Sequence, residues 1–148
     1  MSRVVPKPCV CATFRRASRI LTRAYDARLS KYGFSASELA VVGAIMRHPG
    51  EPLARVADDL AMDRTSLYRM LAPLERRGWV RTEGGRDARA RTVRLTTAGV
   101  KAHDEVSPEW AALQTSIVGD FGRTRWRALL RELQALIEVV PDVASEPG

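Results

Sequence analysis

Histidine and cysteine are scarce in this chain, two of each in 148 residues. The cysteines stand as Cys9-x-Cys11 and the histidines, His48 and His103, lie far from them, so neither a disulfide framework nor a zinc site is expected. There is no Ser/His/Asp set, paired-carboxylate motif or Gly-rich phosphate loop, which argues against an enzyme. No apolar run approaches the roughly 20 residues that span a bilayer. The opening Met1-Ser-Arg-Val-Val-Pro-Lys-Pro lacks the apolar centre of a signal peptide. The expectation is therefore a protein of the reducing cytoplasm with no membrane contact, metal or cofactor. Lysine is rare too, three against 21 arginines.

Positive charge is what the chain has in excess. Its 45% hydrophobic content and length suit one domain with its own core. A formal charge of +7 favours a polyanionic partner. Residues 64–94 hold nine arginines against Glu75, Glu83 and Asp87, a local net of +6. A genomic preference for arginine would explain the missing lysines. It does not explain the clustering.

Apolar spacing divides the chain into helices and one hairpin. A first helix is predicted from near Pro8 to about Lys31, with Val10, Phe14, Ala17, Leu21 and Ala24 as its stripe and Gly33 as its stop. Ser35-Ala-Ser-Glu38 is a capping box for a second helix ending at His48-Pro49-Gly50. A short helix over 53–60, a turn Ala61-Met62-Asp63 and a fourth helix to Arg77 follow, with Asp63 as cap and Gly78 as stop. Pro73 inside that helix is predicted to kink it or free a carbonyl. Trp79–Thr82 and Thr92–Leu95 alternate, and the two read as a hairpin with a basic tip. Thr96 caps a fifth helix bearing Val100, His103, Val106 and Trp110, bent at Pro108, and Gly119–Gly122 is read as a turn before a sixth helix.

The wide apolar stripes of the first, fifth and sixth helices lie far in sequence from the 35–96 unit. They are read as belonging outside its core and as covered by a second copy of the chain. The fold class is mainly α (α+β): a winged helix-turn-helix unit over 35–96, with dimerisation helices over 9–33 and 97–140. Residues 1–8 and 141–148 read as loose termini.

Two helices joined by a three-residue turn set the second into a DNA major groove. On it, Arg64, Thr65, Ser66, Tyr68 and Arg69 are predicted to face outward near the N-terminal end. Thr, Ser and Arg hydrogen-bond base edges, and Tyr68 suits a thymine methyl or a phosphate. Arg76 and Arg77, at the other end, suit phosphate or the helix dipole. In the hairpin, Arg86, Arg89 and Arg91 add charge. Arg89 is placed to enter an adjacent minor groove, with Asp87 holding it by an ion pair. Any one of these arginines alone reads as a solvated charge; the set at these spacings reads as a DNA grip.

Asp87-x-Arg89 followed by Val93-x-Leu95-Thr96-x-x-Gly99, together with Leu74-Glu75-Arg76-Arg77-Gly78-Trp79-Val80, resembles the MarR family of winged-helix regulators. The resemblance spans about residues 10–140. It implies a homodimer built from the N- and C-terminal helices, a pseudo-palindromic operator of double-stranded DNA, and repression relieved by a small phenolic or other aromatic effector or by cysteine oxidation. The wing loop departs from the family pattern by about one residue. The alternative is an architectural nucleic-acid binder with no effector response.

Cys9 and Cys11 fall in or near the first helical turn. A helix N-terminus and a nearby guanidinium, here Arg15 four residues on, favour the reactive thiolate. Residues two apart point to nearly opposite sides, so a bridge to a second subunit is easier than a Cys9–Cys11 bridge. By resemblance, Cys11 falls where the peroxide-sensing branch of the family has its reactive cysteine, and Tyr25 at one of its tyrosine partners; Ala36 occupies the other. The opposing reading makes both cysteines small interface hydrophobes. Trp110, Tyr32, Phe34 and Trp79 are open to two readings, effector-pocket lining or core.

Overall fold

The computed structural model describes residues 8–84 and 90–140. Helix α1 runs Val10–Leu29 with Cys9 as its extended N-cap, then tightens into a 3₁₀ turn over Ser30–Tyr32 and stops at Gly33. Helix α2, Ala36–Arg47, opens on the expected capping box. Ser35 Oγ accepts from the Glu38 amide at 3.1 Å, and the Glu38 carboxylate accepts from the Ser35 amide at 3.0 Å. Asp26 of α1 accepts from the Ala36 amide at 2.7 Å, setting a carboxylate at the positive end of α2.

Helices α3, Leu53–Asp59, and α4, Arg64–Arg76, form the helix-turn-helix. Asp63 caps α4, accepting from the Ser66 amide at 2.8 Å and the Ser66 hydroxyl at 2.7 Å. Those two donors, the hydroxyl foremost, hold the Asp63 carboxyl below its ordinary value. Pro73 sits inside α4 and the helix continues past it.

Strands β1, Val80–Glu83, and β2, Thr92–Leu95, pair antiparallel with Val80 opposite Leu95 and Glu83 opposite Thr92. Pro52 adds an isolated bridge to Thr92, and the Leu53 amide donates to the Arg91 carbonyl at 2.8 Å. The start of α3 is thereby fastened to the neck of the wing. Helix α5 runs Thr97–Phe121, capped by Thr96, whose Oγ1 accepts from the Gly99 amide at 3.0 Å. Helix α6 runs Arg123–Val139.

Two readings are corrected. The expected turn over Gly119–Gly122 shrinks to Gly122, at φ +101°, because α5 keeps its helical bonds through Phe121. Leu29 and Val106, from helices read as lying outside the winged unit, are fully buried in its core with Phe34, Ile45, Leu71 and Val93. Helices that enter and leave a compact unit pack their nearest turns on it, whatever their distance in sequence.

Contacts divide the chain into a unit up to Trp110 and a second unit from Ala111. In the first unit, Val10, Phe14 and Leu21 of α1 are exposed. In the second, Leu129, Leu130 and Ile137 of α6 are exposed, Ile137 at 65%. Among the described residues no helix is long and apolar enough to cross a membrane.

Candidate nucleic-acid interface

The outward side of α4 follows from its inward one. Leu67, Leu71 and Leu74 are buried at helical spacing, which leaves Arg64, Thr65 and Arg69 exposed near the N-terminal end. Ser66 is half-buried, and its hydroxyl is engaged by Asp63. Tyr68 is half-buried against the core, and the Arg91 guanidinium stands 6.0 Å from its ring centroid. The fold thus brings Arg91, at the neck of the wing, to the flank of α4. Arg76 is exposed in the last turn.

Arg77 is different. Its Nε donates to the Pro73 carbonyl at 3.2 Å, while its terminal nitrogens donate to the Gly33 carbonyl and the Glu38 carboxylate. Its guanidinium also lies 4.3 Å from the Trp79 ring, which stacks on Phe34 at 4.5 Å. Of the two roles expected for Arg77, serving the helix end is the one these intrachain contacts fit. The residue ties the end of α4 to the start of α2.

The wing is tied to α4 as well. Glu75 accepts from the Thr82 amide at 3.1 Å and from the Thr82 hydroxyl. Gly84, at φ +126°, occupies the neck, where a Cβ would meet the Ala90 carbonyl oxygen at 2.9 Å. The tip, with Arg86, Asp87 and Arg89, lies outside the described residues. Strand register adds Arg81 and Arg94, exposed and directly opposite one another. Like charges so placed repel unless an anion lies against them; Arg94 is 3.7 Å from Glu83. Their outward parity was legible in the alternation, but not that the two face each other.

Cys9 and Cys11 are both exposed, at the N-cap and in the first turn of α1, and Arg15 is exposed one turn on. Tyr25 lies fourteen residues along the same helix from Cys11, about 21 Å along its axis at 1.5 Å per residue. Within one chain the two do not meet.

A cavity of about 380 Å³ opens in the first unit, with Tyr25, Leu39, Arg47, His103, Ser107 and Trp110 in its wall. Burial pushes the Tyr25 phenol up, so it stays protonated at neutral pH. Arg47 is held by Asp59, accepting from its Nε at 3.0 Å and Nη2 at 2.8 Å. Of the four aromatics open to two readings, Trp110 lines this cavity, Phe34 and Trp79 stack together, and Tyr32 packs half-buried on the core. Arg47 and His103 escaped sequence reasoning because the wall is assembled from three separate helices.

Known proteins agree with this arrangement. The model of the IclR helix-turn-helix domain matches residues 39–84, the stretch from α2 into the wing. The HTH-type transcriptional regulator PecS of Dickeya dadantii is 31% identical over 135 residues, 84% of this chain and 80% of PecS. The M. tuberculosis transcriptional regulator MosR superposes with a TM-score of 0.76 at 28% identity, covering 90% of this chain and 98% of MosR. MosR in complex with DNA gives 0.73 at 29% identity, covering 89% and 99%. MarR itself, at 20% identity and a TM-score of 0.70 over 93% of this chain and 94% of MarR, shares the fold. With a capped recognition helix, a basic wing and kinship to PecS along most of its length, the chain belongs to the MarR family of DNA-binding transcriptional regulators.

Proposed function

We propose that the protein is a homodimeric repressor of the cytoplasm that holds a pseudo-palindromic operator and lets it go on binding a small aromatic effector or on cysteine oxidation. The observation that carries the DNA half is α4, with Arg64, Thr65 and Arg69 exposed beside its capped N-terminus. In this reading those residues, with Ser66 and Tyr68 on the same end, meet base edges and adjoining phosphates in the major groove. Arg76 meets phosphate, Arg91 buttresses the recognition helix through Tyr68, and Arg86 and Arg89 carry the wing to the minor groove with Asp87 as partner. A role for the wing is supported by the placement of Arg81 and Arg94.

Dimerisation through 9–33 and 97–140 is supported by the exposed apolar residues of α1 and α6, which water alone would leave unburied at a cost. The effector reading is supported by the cavity, whose volume of about 380 Å³ suits a small aromatic molecule. Its Tyr25, His103 and Arg47 suit a phenol or carboxylate. The oxidation reading is supported by the exposure of both cysteines at a helix start.

The test is footprinting on the protein's own upstream region, with and without peroxide and with and without a hydroxybenzoate. Two protected half-sites about one helical turn apart, lost under one of those additions, is the expected result. Protection that persists under every addition makes the protein an architectural binder. Protection with no sequence preference refutes the operator.

A further inference from the structure

Helix α1 carries a second concentration of charge that neither the winged unit nor the apolar stripe uses. Arg15, Arg16, Arg19 and Arg23 are all exposed, and among the described residues no carboxylate pairs with any of them. The one acid on the helix, Asp26, is engaged by the Ala36 amide. Arg28, by contrast, is paired with Glu109 at 3.0 Å. At 3.6 residues per turn, Arg16, Arg19 and Arg23 fall within a sector of about 60°, roughly opposite the stripe of Val10, Phe14 and Leu21. A shallow depression lies among Arg16, Arg19, Ile20 and Arg23. A second copy that covers the stripe therefore leaves the arginines facing outward.

We propose that this face of α1 binds the phosphate backbone of a second duplex segment, so that one protein particle bridges DNA. Three unpaired guanidiniums are spread over about 10 Å of helix axis, a length over which duplex DNA presents about six phosphate charges. The guanidinium fork matches phosphate oxygens two at a time. Membrane binding by such a helix would need its apolar stripe, which the dimer occupies, and charge alone then favours the denser polyanion. DNA is also the polyanion that the winged unit already brings near, at a high effective concentration. The inference goes beyond the operator contact and rests on the dimer reading for the covered stripe.

The experiment immobilises the footprinted upstream fragment on beads and adds protein together with a labelled duplex of unrelated sequence at 50 mM salt. Wild type is expected to retain the labelled duplex. The triple variant Arg16→Gln, Arg19→Gln, Arg23→Gln is expected to retain at least tenfold less while binding the immobilised fragment within twofold. Glutamine keeps helix propensity, and Arg15 and Cys11 are untouched. Raising salt to 150 mM weakens retention by wild type about twentyfold if three phosphates are neutralised. Sedimentation and fragment binding are read on the same samples, so failure of the dimer or operator reading is visible separately. Equal retention by variant and wild type overturns the proposal, as does no retention by wild type. Variant-sensitive adsorption to anionic phospholipid vesicles with no second duplex held also overturns it.

Discussion

Gly99→Ala pits helix propensity against a steric collision, and the structure decides the sign. Gly99 lies in the first turn of α5, where a Cβ would stand 1.9 Å from the Trp79 carbonyl oxygen and 2.8 Å from its carbonyl carbon. An ordinary contact needs at least 3.4 Å, so the turn must withdraw by about 1.5 Å. That same oxygen accepts from the Thr96 amide at 3.0 Å, and Thr96 caps the helix through the Gly99 amide. Withdrawal strains both bonds, each worth about 1 kcal/mol, on top of an overpacking cost of about 1–3 kcal/mol. Alanine returns about 1 kcal/mol of helix propensity. The expected net loss is about 2–4 kcal/mol, or a Tm lower by about 6–12 °C for a chain of this size. Urea denaturation at one fixed protein concentration measures it, since a dimer's midpoint moves with concentration. Because Trp79 joins α4 to the wing, operator affinity falls as well. Gly119→Ala on the same helix is the control: a Cβ there meets nothing within 4 Å, so stability should rise by up to about 1 kcal/mol. Gly99→Ala as stable as wild type, or more so, refutes the close approach and leaves propensity as the only effect.

The other expectations concern single side chains. Arg69→Ala should cost about 1–3 kcal/mol of operator affinity and relax preference at one base position, read by competition with base-substituted operators. Arg89→Ala should lower the salt slope of binding by about one and weaken it most where the flanking minor groove is A·T-rich; unchanged affinity across salt removes Arg89 from the interface. Asp63→Ala should lower stability through the lost α4 cap, read as an earlier urea midpoint. The Asp63 carboxyl, lowered by Ser66, binds its proton more readily unfolded than folded. Its contribution is therefore in place above the unfolded value near 4 and fades as pH falls through the lower folded one, and Asp63→Asn should flatten that acid limb. Cys11→Ser should bind operator normally and stay bound under peroxide doses that oxidise the wild-type thiol to sulfenate and release it. Release of both at one dose makes the cysteines packing residues.

What was legible in the sequence was local. The Ser35–Glu38 box, the Asp63 and Thr96 caps and the leucine stripe of α4 each depend on residues within a turn or two, and all stand where spacing put them. What escaped depended on partners distant in the chain. A stripe reports which face is apolar but not what covers it, so Leu29 and Val106 were separated from a core they complete. The Pro52–Thr92 bridge is one residue long and has no period to read.

The arginines are the sharpest case, because one residue type serves opposite purposes here. Arg76 and Arg77 are adjacent and chemically identical, yet Arg76 is exposed while Arg77 is consumed by Glu38, two carbonyls and the Trp79 ring. Arg28 and Arg47 are likewise paired, with Glu109 and Asp59. A net charge of +7 cannot distinguish these from the rest, since pairing is a tertiary property. Removing the paired arginines sharpens the picture instead of diluting it. Among the described residues the exposed arginines outside any ion pair include Arg64 and Arg69 on α4, the four along α1, and Arg123, Arg127 and Arg131 on α6. Separated patches of uncompensated charge, such as those on α4 and α1, cost self-repulsion that folding alone does not reward. Each is accounted for when an anion lies against it, which is why the second patch, and not only the first, is read as a contact with DNA.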